Sequence, residues 1–84
     1  MERYTRREGE EWLVPIGLEQ AALARLACFE DAYQALCIKK VCLEEQMAPL
    51  RAAGKQKSAR FRELLGEKLM LQQLFVWLES HGIK

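Results

Sequence analysis

The residues of this chain best suited to chemistry are cations. Lys40 and Lys68 each interrupt a run of apolar side chains, and Arg51, Lys55, Lys57, Arg60 and Arg62 crowd into positions 49–62, which hold no acid. Ammonium and guanidinium groups gathered this way suit an anion such as phosphate, a nucleotide, or a DNA or RNA backbone, with affinity falling steeply as salt rises. Ser58 adds a hydroxyl donor, and the free amides of a helix starting there would favour the same charge. The candidate binding set is Lys40, Arg51, Lys55, Lys57, Ser58, Arg60, Arg62 and Lys68. A solvated turn is the competing and simpler account. Phe61 is the only aromatic in the basic segment, and the apolar run claims it. Gly54-Lys55 followed by Ser58 also lacks the spacing and the Lys-Ser adjacency of a phosphate loop.

Nucleophilic and metal chemistry find little to work with. The three cysteines, Cys28, Cys37 and Cys42, contain no CxxC pair, and His81 is the only histidine. On a helix Cys37 and Cys42 are turned roughly 140° apart, so they can neither bridge nor share a metal locally. Asp31, Cys37 and His81 make a nucleophile set on paper, but nothing in their spacing brings them together, and a cysteine on a packed helix is usually inert. The expectation is no enzyme, no metal and no cofactor, with the cysteines acting as small buried hydrophobes in a reducing compartment. No signal peptide and no run of eighteen apolar residues is present, which predicts a soluble cytoplasmic protein with no membrane partner.

Two apolar runs must position these cations. Ala22, Leu26, Phe29, Tyr33, Leu36, Lys40, Leu43, Met47 and Leu50 form the first, and Phe61, Leu64, Lys68, Leu71, Phe75 and Leu78 the second. Steps of three and four give both the coiled-coil period, so the chain is expected to fold as an antiparallel two-helix hairpin reversing at Gly54. Partners then have numbers summing to 107 or 108: Met47 with Phe61, Leu43 with Leu64, Leu36 with Leu71, Tyr33 with Phe75 and Phe29 with Leu78. The same rule sets Lys40 opposite Lys68. Two ammonium groups in one layer must snorkel outward, pair with a carboxylate such as Glu44 or Glu67, or share an anion.

The predicted organisation is an N-terminal segment, 1–17, ahead of a helical hairpin, 18–84. In the first, Arg3 to Arg6 and Glu10 to Val14 are expected to pair as short strands around Arg7-Glu8-Gly9, with Gly9 left-handed and Trp12 anchoring the hairpin to the helices. In the second, a helix over 18–53 should end or kink near Pro49, a turn should occupy 54–57, and a second helix, capped by Ser58, should run over 58–81.

Both helices carry more apolar surface than one partner can cover. Leu36, Ile38 and Val41 in the first, with Met70, Leu74 and Trp77 in the second, are the expected self-association residues, and a helical bundle formed by a dimer or higher oligomer is the expected assembly. The alternative is a groove for a different protein. Net charge is +1, distributed as −3, 0, +5 and −1 over residues 1–31, 32–48, 49–62 and 63–84, so the positive block lies at the turn.

Arg25-Leu26-Ala27-Cys28-Phe29-Glu30-Asp31 resembles a signature, Arg-Leu-Ala, a variable residue, an aromatic and Glu-Asp, of short open reading frames in phages and prophages of gut-type bacteria. The opening Met1-Glu2-Arg3-Tyr4-Thr5, leading to Leu13-Val14-Pro15-Ile16-Gly17, and the segment from Gly54 to Phe61 continuing through Lys68-Leu69 are similar to the same group. Many such frames continue into a Thr-Gly-Leu turn where this chain has Ala32-Tyr33-Gln34-Ala35. The group has no established activity. What the resemblance implies is an accessory protein of a mobile element, expressed in a bacterial cell; a host or phage protein is the expected partner, and antagonism of a host system is a role that small phage proteins of this kind often have. The expected function is thus a non-enzymatic, self-associating helical interaction module, and the alternative is a nucleic-acid or nucleotide-binding accessory protein using the basic turn.

Overall fold

A computed structural model describes all 84 residues. The chain is mainly helical, with two strands, β1 (Arg6–Glu8) and β2 (Glu11–Leu13), followed by two helices, α1 (Glu19–Ala52) and α2 (Ala59–Ser80). It divides into two compact units, residues 1–34 and residues 35–84.

In residues 1–34, β1 and β2 pair antiparallel with Arg6 opposite Leu13, Arg7 opposite Trp12 and Glu8 opposite Glu11. Gly9 has φ 63° and is followed directly by Glu10, so the loop is the two-residue kind that takes glycine at its first central position. That register corrects the expected first strand, Arg3 to Arg6, and moves the turn from Arg7-Glu8-Gly9 to Gly9-Glu10. Trp12 is not the expected anchor. It stays 55% exposed, with the guanidinium groups of Arg3 and Arg7 over its ring at 5.4 and 5.6 Å. The tie to α1 is made instead by Arg25, whose guanidinium lies 4.3 Å from the ring centroid of half-buried Tyr4 and donates to the Glu2 carbonyl at 3.0 Å. Just before α1, the Gly17 amide donates to the Glu19 carboxylate at 2.9 Å, satisfying a backbone donor at the helix entrance.

In residues 35–84, α1 passes through Pro49 and ends at Ala52, one residue short of the expected bound at 53 and beyond the alternative end near Pro49. Pro49 forfeits one donor close to the helix end, while its own carbonyl accepts from the Ala53 amide at 3.0 Å. Gly54, at φ 71°, then donates to the Arg51 carbonyl and Lys55 to the Leu50 carbonyl, the pair of bonds that closes a helix with a left-handed residue. Four residues later Ser58 starts α2, accepting from the Phe61 amide at 3.1 Å.

Leu43, Met47, Phe61, Leu64 and Leu71 form one buried cluster, with Leu36, Leu50, Leu65 and Phe75 packed around it. The expected layers Met47–Phe61, Leu43–Leu64 and Leu36–Leu71 all draw on this cluster. Met47 is fully buried and Leu64 is 1% exposed, which marks the tightest part of the seam. Such burial is what holds two helices that would each be marginal in water.

Candidate functional site

The two lysines flank a narrow gap bounded by Leu43, Leu71 and Gln72. Lys40 lies on α1 one turn before Glu44, and Lys68 lies on α2, so the fold brings Lys68 to the carboxylate that the next α1 turn supplies. The Lys68 Nζ bonds to Glu44 Oε1. The Lys40 Nζ lies 5.3 Å from the ring centroid of Phe75 instead, over its electron-rich face. Their mutual repulsion is thus relieved inside the chain, by an ion pair and a ring. Glu44 also receives Arg51, whose Nη1 is 3.4 Å from Oε2. The hydrogen bond from Lys68, with a smaller one from Arg51, holds the Glu44 carboxyl below its ordinary value of 4.5, against a weaker opposing effect of desolvation.

The basic turn is partly engaged in the same way. Arg51 lies 5.5 Å over the Phe61 ring, and Arg60 donates to Gln46 Oε1 at 2.8 Å while approaching Glu63 Oε1 at 3.4 Å. Ser58 spends its hydroxyl oxygen on the cap of α2. Lys55, Lys57 and Arg62 are exposed and have no carboxylate partner. Of the eight cationic and hydroxyl residues expected to bind an anion, these three are left facing solvent with unengaged charge. Sequence reasoning anticipated Glu44 as a lysine partner but missed Gln46, whose signal is only its place one turn beyond Cys42 on the flank of α1.

The apolar residues expected to associate divide more clearly. Leu36 packs against the intrachain cluster. Ile38 and Val41 on α1 are 57% and 56% exposed, and Met70 and Trp77 on α2 are 74% and 58% exposed, with Leu74 less so. Leu69 and Val76, not singled out by sequence, join them at 52% and 65%. A shallow depression on α2 is lined by Leu69, Gln72, Gln73, Val76, Trp77 and Ser80. At its end the His81 ring lies 4.6 Å from that of Trp77, with Nδ1 2.9 Å from the Trp77 carbonyl.

The cysteines correct an expectation. Cys28 and Cys42 are exposed and Cys37 is half-buried, because each sits beside the seam positions rather than on them. No group of three His, Cys, Asp or Glu side chains could hold a metal ion. No helix is long and apolar enough to cross a membrane. No protein-family model, curated protein or solved structure matches the chain.

Proposed function

We propose that this chain is a non-enzymatic helical interaction module that assembles with further copies of itself, an accessory protein of the phage type that its signature resembles, acting on a host or phage protein in the bacterial cytoplasm. The observation that carries self-association is the outward surface of residues 35–84. Leu69, Met70, Val76 and Trp77 are all more than half exposed on α2, on the side away from the buried cluster. At roughly 25 cal/mol per Å² of apolar surface removed from water, covering these side chains recovers several kcal/mol, comparable with the stability of a domain this small. Charged groups scarcely interrupt that surface, whereas solvated helix faces are normally charged.

Nucleic-acid binding through the turn is the weaker reading. Arg51 and Arg60 are occupied by Glu44, Gln46 and Glu63, which leaves too few free cations for a phosphate track. Light scattering on the purified chain across micromolar concentrations tests assembly: a mass of at least twice 9.7 kDa is expected, and a single-chain mass throughout would contradict it. Gel shifts on short DNA and RNA at low salt are expected to show no complex.

A further inference from the structure

Gly66 has no reason to be glycine within the chain. It lies mid-helix in α2 with ordinary helical backbone, it is exposed, and a Cβ added there would meet nothing within 4 Å. Glycine in such a place weakens the helix relative to alanine. Stepping along the same outward line gives Met70, Gln73 and Trp77, at intervals of four, three and four residues, which is a second seam at the coiled-coil period on the side away from the core. Trp77 is the largest exposed ring on this face, and Gly66 is the only residue on it without a side chain.

We infer that two copies of this chain associate through α2 about a two-fold axis, antiparallel, with Trp77 of each copy seated over Gly66 of the other. The inference rests on the self-association proposed above and names its surface and register. A two-fold axis between Leu71 and Gln72 sets Gly66 opposite Trp77 and Met70 opposite Gln73, so large side chains meet the gap and the flexible pair fills the centre. A parallel pairing would stack Trp77 on Trp77 and leave Gly66 facing Gly66.

Charge favours the same direction. α2 has no acid in its first turn and no base in its last, so Lys57, Arg60 and Arg62 oppose the positive end of their own helix dipole. In the antiparallel pair Arg62 lies opposite His81 of the second copy, beside the carbonyl-rich end of that α2. The arrangement that misplaces Arg62 within one copy places it well across two.

The test compares the wild-type chain with Gly66→Leu by sedimentation velocity, helicity being checked by circular dichroism. A Cβ at this exposed position meets nothing within 4 Å, so Gly66→Leu is expected to remain folded and to weaken the dimer by about tenfold or more through overpacking against Trp77. In a background with Cys28, Cys37 and Cys42 replaced by alanine, Met70→Cys and Gln73→Cys chains are mixed and oxidised. Mixed disulfides are expected well above the half share that random pairing of equal amounts gives. A wild-type dimer that Gly66→Leu leaves unchanged, or one whose mixed disulfides stay at or below that half share, overturns this register while self-association stands. A wild-type monomer at every concentration overturns both.

Discussion

Lys68 of α2 and Glu44 of α1 form an ion pair across the seam, next to Lys40, which turns to the ring of Phe75. Glu44 is therefore the residue that lets two ammonium groups occupy one layer. Its carboxyl is held below 4.5 by Lys68 first and Arg51 second. A depressed carboxyl contributes stability that is fully present above its unfolded value and is lost as pH falls through the folded one. The melting temperature is expected to fall as pH drops below about 4.5. Glu44→Gln should lower the melting temperature at neutral pH and flatten that acid dependence; an unchanged acid profile in the variant would remove Glu44 from this role.

Met47 is the fully buried centre of the cluster, so Met47→Ala leaves a cavity rather than a solvated gap. A loss of about 2–5 kcal/mol is expected, enough to unfold much of a small domain at room temperature. Met70→Ala, on the outward side of α2, is expected to leave the fold of the single chain nearly unaffected. Urea unfolding followed by circular dichroism, at concentrations dilute enough for the chain to be monomeric, separates the two, and equal losses would mean that the seam is drawn on the wrong side.

Gly54 and Pro49 make opposite backbone predictions. At φ 71° Gly54 sits where a Cβ is strained, so Gly54→Ala should cost about 1 kcal/mol even though open space surrounds it. Pro49→Ala restores a helical donor within α1 and should stabilise by about 1 kcal/mol, less than the full penalty of a mid-helix proline because the helix ends three residues later. Thermal melts of the two variants should move in opposite directions. A drop with Pro49→Ala would assign the proline a packing role that its exposure does not suggest.

The reversal at Gly54, the Ser58 cap and the gathering of Leu36, Leu43, Met47, Phe61, Leu64 and Leu71 into one cluster were legible because each follows from a local rule: left-handed glycine, a hydroxyl cap, a period of three and four. The hairpin register was not, since moving the turn from Arg7-Glu8-Gly9 to Gly9-Glu10 exchanges which side chains face each other and no core fixes the choice. Trp12 misled because its size suggests burial, whereas Arg3 and Arg7 offer its ring a place at the surface. The engagement of Arg60 by Gln46 depends on how two helices meet, which no stretch of sequence states. Helix continuity through Pro49 likewise reflects tertiary packing by Met47 and Leu50 on either side of it, outweighing one lost hydrogen bond.

The basic turn carries a prediction of its own. With Arg51 and Arg60 held by neighbours, changing Lys55 and Lys57 together to glutamine should leave the melting temperature nearly unchanged, as expected for exposed unpaired charges. If phosphate raised the melting temperature of the wild type and this double variant lost the effect, the anion-binding account of the turn would regain its place.

The contact between Trp77 of one copy and Gly66 of another is the relationship on which the assembly turns. Isotope-filtered nuclear Overhauser spectra of a mixture of labelled and unlabelled chains read it directly. Cross-peaks between the Trp77 indole of one copy and the Gly66 α-protons of the other are expected. Intermolecular cross-peaks confined to other residues, with none from Trp77, would contradict the account.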